Sequence, residues 1–161
     1  MANDKDLYNN FNGYNAYPLK EAEKIIRSRF GERIEALIAK IHACVNKAKS
    51  EGRLKLLSEV EKVRRRITRM KKVIDERDLV FVAPYLKDKI TSVDEEKLKS
   101  VDYRVAELIS MSEKIVEDIT CGETDVHILD KFKQISNYFR EMENRCHERS
   151  LLLKKDVKRS P

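Results

Sequence analysis

Apolar residues recur at intervals of three and four along most of the chain, which is the spacing of one face of an α-helix. A first stripe runs from Leu19 to Ala48, and a second runs from Leu54 to Ile74. The segment Ser50-Glu51-Gly52 between them carries a stop signal, and two long helices joined by so short a turn are expected to lie antiparallel. The predicted core residues of the second helix are Leu54, Leu57, Val60, Val63, Ile67, Met70, Val73 and Ile74.

The second half of the chain shows two further helices with recognisable starts. Ser92-Val93-Asp94-Glu95 has the form of a capping box, in which the Ser hydroxyl and the Glu carboxylate satisfy the free N–H groups of the first turn. The stripe that follows runs from Leu98 to Ile119, and Gly122 ends it. Thr124-Asp125 predicts the cap of a fourth helix, whose stripe runs from Ile128 to Leu153.

These patterns predict an all-α protein, an antiparallel up-down helical bundle of about four long helices. We assign a single bundle domain to residues 18–153, an irregular or disordered arm to residues 1–17, and a basic tail to residues 154–161. Because no fixed period of self-similarity is apparent, a closed bundle is favoured over a repeat solenoid.

The composition agrees with helices and argues against sheets. Of the 161 residues, 39% are charged and 41% are hydrophobic, while 4 Gly and 3 Pro are too few for the turns of an all-β fold. The longest apolar run, Leu79 to Ala83, is much shorter than the about 18 residues of a membrane span, so we predict no transmembrane insertion. Three cysteines without paired spacing, and an N-terminus without the pattern of a signal peptide, predict a cytoplasmic protein.

No linear motif predicts a catalytic site. His42, His127 and His147 lack the acidic residue three positions earlier that di-iron bundles use. Glu32-x-x-Glu35 matches half of the paired acidic motifs that hold magnesium in helical nucleotide pyrophosphatases, but the second helix has no counterpart. Neither a phosphate-binding Gly-rich loop nor a nucleophile elbow occurs. We therefore predict no catalytic residues, no cofactor and no identifiable small-molecule substrate, which leaves open an all-α enzyme with a site assembled from scattered carboxylates.

A metal site is considered because Cys and His are zinc ligands. His42, Cys44, Cys121 and His127 would lie toward one end of the bundle. However, His42 precedes the end of the first helix by about nine residues, or roughly 13 Å, whereas Cys121 and His127 lie close to the ends of theirs. We predict small buried cysteines with flanking histidines, and no metal.

The strongest charge feature is a basic run from Lys62 to Lys72, in which seven of eleven residues are cationic. Residues 52–75 include nine basic and three acidic residues, whereas residues 93–119 include four basic and eight acidic ones. The favoured interpretation is that the third helix neutralises the second inside the bundle. The alternative is a surface for an acidic protein, an anionic membrane or, above all, nucleic acid, bound through phosphates without sequence readout because no aromatics are interleaved. Its candidate residues are Arg64, Arg65, Arg66, Arg69, Lys71 and Lys72, with Lys154, Lys155, Lys158 and Arg159 of the tail.

Two segments outside the stripes are candidate interaction elements. The arm has an aromatic residue at every third position, the period of an extended helix, and is a candidate for docking in a groove of a partner; alternatively it packs on its own bundle or stays disordered. Its aromatic residues are Tyr8, Phe11, Tyr14 and Tyr17. The apolar connector after the second helix either folds onto the bundle or makes an oligomer contact. Its candidate residues are Leu79, Phe81 and Tyr85.

The segment from Phe132 to Phe139 resembles a sliding-clamp-binding box, with Ile135 and the Tyr138-Phe139 pair at the apolar positions of that motif. Phe132 stands where the motif has its characteristic Gln. Because Phe132, Ile135 and Phe139 also have the spacing of a helical core stripe, we interpret them as core.

The function predicted from the sequence is that of a non-catalytic interaction or assembly subunit, acting as a homodimer or with another protein. The first alternative is a nucleic-acid-binding protein that uses the basic face of the second helix without reading sequence. The second alternative is an all-α enzyme whose site no linear motif reveals.

Overall fold

A computed structural model of the chain describes residues 19–76, 92–119 and 123–153, apart from the side chains at positions 19, 20, 75, 76, 92 and 93. These residues form four α-helices and no strand, which confirms the predicted all-α class. The helices begin and end close to the predicted caps and stripes, except that the third helix ends at Glu117, before the last stripe residue Ile119 and the predicted stop at Gly122. Their bounds are Leu19–Ser50 for α1, Leu54–Glu76 for α2, Ser92–Glu117 for α3 and Asp125–Leu153 for α4.

The four helices form a bundle in which each packs against two others. Both α1 and α4 contact α2 and α3, so α2 and α3 occupy opposite corners. Near the start of α1, Arg27 Nη1 donates to the carbonyl oxygen of Ile74 near the end of α2, at 3.4 Å. At the other end of the bundle, Arg53 Nε donates to Asp125 Oδ1 at 2.7 Å and joins the first turns of α2 and α4. We call this second end the Gly52 pole, because it carries the turn between α1 and α2.

A Schellman turn around Gly52 ends α1. Gly52 has a φ of 68°, the left-handed region in which a residue without a Cβ is favoured. The N–H of Arg53 donates to the carbonyl oxygen of Ala48 at 3.0 Å, and that of Gly52 donates to Lys49 at 3.2 Å. The sharp reversal brings the end of α1 beside the start of α2.

The core follows the predicted stripes, apart from three positions on α2. Leu54 is 74% exposed and Val73 is 42% exposed, although both were predicted to be core, whereas the buried Leu56 was missed. At 3.6 residues per turn, Leu54 lies almost opposite the line of core residues on α2, so it cannot face the bundle. Those core residues alternate at intervals of four and three. They are Leu56, Val60, Val63, Ile67, Met70 and Ile74.

The clamp-box resemblance does not describe an accessible motif. Phe132, Ile135 and Phe139 of α4 are all buried in the common core. This confirms their interpretation as core residues, because a partner could reach them only by unfolding α4.

A buried ion network lies at the end opposite the Gly52 pole. Arg149 of α4 donates from Nε to Asp102 Oδ1 of α3 at 2.6 Å, and from Nη1 to Glu23 of α1. Arg27 also donates to Glu23. Burial raises the pKa of the Glu23 carboxyl, but the attraction of Arg149 and Arg27 and their hydrogen bonds outweigh it and hold the pKa below its ordinary value. The network links three helices, and the apolar stripes did not predict it.

Candidate nucleic-acid interface

Among the described residues, acidic side chains of α3 form ion pairs with α1, with α4 and within α3 itself. Glu113 accepts a hydrogen bond from Arg33 of α1 at 2.8 Å, and Glu117 accepts one from Lys40 of α1 at 2.7 Å. The predicted neutralisation of the second helix by the third is therefore wrong for these pairs. The physical reason is that α2 and α3 occupy opposite corners of the bundle, so their exposed side chains face different directions.

The six predicted cations of α2 lie on three different sides of the helix. Arg64 is held by Glu61 of its own helix, with Nε to Oε2 at 2.8 Å, and Lys71 reaches Glu35 of α1 at 3.8 Å. Hydrogen bonds from Arg64 lower the pKa of the Glu61 carboxyl, so Glu61 stays ionised. Arg64 is thus engaged within α2, and Lys71 joins α2 to α1.

The remaining four predicted cations divide between the outer face of α2 and its border with α4. Arg65 projects outward, with 77% of its side chain exposed and only a 3.4 Å contact from Nε to Glu61. Lys72 is exposed as well. Arg66 and Arg69, by contrast, line an open groove between α2 and α4.

This groove, which we call the α2–α4 groove, has a volume of about 580 Å³ and is lined only by those two helices among the described residues. Five of its residues are cationic and two are acidic, a local excess of three positive charges. The cations are Lys55, Lys62, Arg66 and Arg69 of α2 and Lys133 of α4. The acidic residues are Glu59 and Asp130.

Three of the groove cations are unpaired within the part of the chain that the structure describes. Lys62 contacts Glu59 at 2.6 Å and Arg66 is hydrogen-bonded to Ser136, but Lys55, Arg69 and Lys133 have neither an ion-pair partner nor a side-chain hydrogen bond there. Unpaired cations that share one concave surface raise the local positive potential and attract anions. The groove therefore has the charge that an anionic ligand requires.

Arg66 lies across the groove and is half-buried. Its Nη1 donates to Ser136 Oγ of α4 at 2.8 Å and contacts the Ser136 carbonyl oxygen at 3.5 Å. Its Nε and Nη2 make no hydrogen bond with the described residues, so one edge of the guanidinium is available to a ligand. Arg66 is thus fixed in position by one nitrogen and open at two others.

The floor of the groove is apolar but closed. Val63 is 8% exposed and Phe132 is 1% exposed, and Leu129 is half-buried. No aromatic face is therefore available in the groove for a base to stack on, and no deep apolar pocket is open to an anchoring side chain. Binding here has to rest on charge and hydrogen bonds, which agrees with the absence of interleaved aromatics in the sequence.

The candidate residues did not include Lys62, although it begins the basic run, and sequence reasoning missed Lys55 and Lys133 altogether. Lys55 was detectable, because it precedes Lys62 by seven residues and Arg69 by fourteen and so shares their side of the helix. Lys133 gave no such signal, since its role depends on α4 lying beside α2. The predicted tail cations Lys154, Lys155, Lys158 and Arg159 lie outside the described residues.

Other predicted candidates fall partly or wholly outside the described residues. This holds for the arm aromatics Tyr8, Phe11, Tyr14 and Tyr17, for the connector residues Leu79, Phe81 and Tyr85, and for Cys121. Of the remaining Cys and His candidates, His42 and His127 are exposed and Cys44 is half-buried, where burial raises the pKa of its thiol. Over residues 19–76, 92–119 and 123–153, no three His, Cys, Asp or Glu side chains come together as metal ligands would.

The buried carboxylates are the alternative candidate for a catalytic site. Glu23 and Asp102 are nearly fully buried, but Arg149 lies between them and bonds to both. Because both carboxylates are buried and bonded to Arg149, they stabilise helix packing and are not accessible to a substrate. The α2–α4 groove remains the best-supported site.

None of the helices, over the positions that the structure describes, combines the length and apolarity that crossing a bilayer requires. No protein-family model, no curated protein and no solved structure matches the chain, so the α2–α4 groove has to be judged on its own geometry.

Proposed function

We propose that this chain is a non-catalytic helical binding module whose ligand is nucleic acid, held by its phosphates along the α2–α4 groove without readout of base sequence. The observation that carries the proposal is the set of unpaired cations Lys55, Arg69 and Lys133 on one open surface. Cations that face other helices, such as Arg33 and Arg104, are paired with carboxylates. The proposal includes a cytoplasmic location, which the odd number of cysteines supports.

A phosphate backbone fits this groove better than an acidic amphipathic helix does. A helix that binds in a groove gains most of its affinity by burying apolar anchor residues. Here the floor residues Val63 and Phe132 are already buried by their own bundle. Phosphates need only cations and N–H donors, which Lys55, Arg69 and Arg66 supply.

Reversing the three unpaired groove cations should abolish binding. We expect the variant Lys55→Glu/Arg69→Glu/Lys133→Glu to bind a fluorescent mixed-sequence oligonucleotide about 100-fold more weakly than the wild type, because three phosphate contacts are lost. Fluorescence anisotropy at salt concentrations from about 50 mM to 200 mM measures the affinity of both proteins for the oligonucleotide. The wild-type affinity should fall steeply over that range.

A matched control reverses three exposed lysines elsewhere. Lys24, Lys97 and Lys114 are exposed and unpaired among the described residues, and lie on α1 and α3. Lys24→Glu/Lys97→Glu/Lys114→Glu makes the same change in net charge, and we expect it to retain most of the affinity. Equal losses in the two triple variants, or wild-type binding that ignores salt, would show that the groove is not the site.

Assembly is the second candidate function, and the Gly52 pole carries the observation that favours it. Leu54 is 74% exposed and Val126 is 65% exposed, and the Arg53–Asp125 ion pair holds the residues that precede them together. If this apolar pair is the centre of a homodimer contact, Leu54→Ser/Val126→Ser should convert a dimer into a monomer in native mass measurements. A monomeric wild type at micromolar concentration would rule the homodimer out.

A further inference from the structure

The α2–α4 groove is narrow compared with a nucleic-acid duplex. Its walls are two packed helices, and such helices have axes about 8–10 Å apart. The major groove of DNA alone is about 12 Å wide, and the whole duplex is wider still. A duplex would therefore rest on the rims, whereas a single strand is thin enough to lie between the walls.

The position of Arg66 favours a ligand that enters the groove. Its guanidinium is half-buried and tied to Ser136 of the opposite wall, at 2.8 Å from Ser136 Oγ. The free Nε and Nη2 are therefore set at a fixed place between the helices. A phosphate on a flexible strand can reach them, but the phosphates of a rigid duplex resting on the rims are held above them.

The cations of α2 form a line that follows the groove. The first and last of these α2 cations, Lys55 and Arg69, are fourteen positions apart, which is about 21 Å at 1.5 Å per residue; Lys62 and Arg66 lie between them. At about 3.4 Å per nucleotide, one stacked strand places roughly six phosphates along that distance, and an extended strand fewer. Lys133 adds a cation on the opposite wall.

Two carboxylates in the groove also favour a single strand over a duplex. Glu59 and Asp130 lie in the groove among the cations. A duplex carries one charge per about 1.7 Å of its axis and cannot bend its backbone around them at low cost. A single strand has half that charge density and can adjust its path.

We propose that the α2–α4 groove accepts one single strand of RNA or DNA, with its phosphates along the α2 cations from Lys55 to Arg69 and its bases directed toward solvent, and that it discriminates against the duplex. This inference rests on the proposed function. It adds the class of nucleic acid and the path of the strand.

The test compares two neighbouring arginines, one inside the groove and one outside. Arg66 lines the groove, whereas Arg65 is on the outer face of the same helix. For a mixed-sequence single strand, we expect Arg66→Gln to weaken binding about fourfold to fivefold and to reduce the slope of log K against log salt concentration by about 0.7. Arg65→Gln should leave the affinity within about twofold, and Arg66→Lys should retain most of the salt slope.

The same oligonucleotide annealed to its complement completes the test. Wild-type protein should bind the single strand at least about tenfold more tightly than the duplex at equal salt, because the duplex reaches fewer of the five cations. Thermal unfolding shows whether Arg66→Gln disturbs the fold. If it does, the single-strand affinity of Lys133→Gln, a variant on the exposed opposite wall, is compared with that of Arg65→Gln instead.

Several results would overturn the inference. If the duplex binds as tightly as the single strand, the inference fails, but the proposed function still holds. The same conclusion follows if Arg65→Gln and Arg66→Gln weaken binding equally. Displacement of the strand by an acidic peptide or by inorganic polyphosphate at lower concentration would assign the groove to that polyanion instead. Absence of salt-sensitive binding to any nucleic acid would remove the proposed function itself.

Discussion

Replacing Arg149 by methionine should lower the free energy of unfolding by about 3–5 kcal/mol, because it leaves the buried carboxylates of Glu23 and Asp102 without the cation that lies between them. Methionine fills a similar volume, so the loss reflects charge more than a cavity. Urea unfolding at neutral pH measures the difference as a shift of the midpoint.

Two comparison variants separate charge burial from general damage to α4. Arg145, one turn earlier on α4, is 41% exposed in its side chain and pairs with Glu148, so Arg145→Met should cost no more than about 1 kcal/mol. Arg149→Met combined with Glu23→Gln and Asp102→Asn should recover part of the stability, since no uncompensated charge is then buried. A cost below about 1 kcal/mol for Arg149→Met alone would contradict the buried network.

Acid should destabilise the protein through Glu23. The pKa of Glu23 in the folded state lies below its ordinary value of 4.5. The unfolded chain therefore binds a proton at Glu23 more readily than the folded chain does. The stability that Glu23 contributes is fully present above about pH 4.5 and is lost as the pH falls through the lowered folded value.

Comparison with Glu23→Gln isolates this contribution. Three surface carboxyl groups also have lowered pKa values, because they accept hydrogen bonds from cations; they are Glu61, Glu117 and Glu141. Their protonation in acid also destabilises the folded state, but solvent screens these surface pairs. We expect the wild type to lose stability more steeply than Glu23→Gln when urea midpoints are measured from pH 7 down to about pH 3. Parallel curves would show that Glu23 does not titrate with folding.

The buried network and the α2–α4 groove can be tested independently. Arg149 lies at the end of the bundle opposite the Gly52 pole, whereas Lys55 and Lys133 lie in the half near that pole. The residues of the network do not line the groove. A groove variant that loses nucleic-acid binding should therefore keep its unfolding midpoint, which distinguishes a lost contact from a lost fold.

The candidate site could be predicted only in part. The basic run pointed to α2, which forms one wall of the groove, because a cluster of cations is visible in any contiguous sequence. Which cations remain available to a ligand could not be predicted. Arg64 is held by Glu61 of its own helix and Lys71 reaches Glu35 of α1, while Arg66 and Arg69 face α4. The charge counts suggested α3 as the neutralising helix, but charge sums include no information about which helices are neighbours.

The sequence by itself determined the helices and most of the core of this protein. Periodicity, the capping box at Ser92 and the stop at Gly52 act over a few neighbouring residues, so they can be recognised without knowledge of the fold. The tertiary structure decided which helix faces are adjacent. It placed Lys133 opposite Arg66, and it joined Glu23 to Arg149 across 126 residues of sequence. Such pairings depend on the packing of whole helices, because a buried charge or a groove wall acquires its role only from residues distant in the chain.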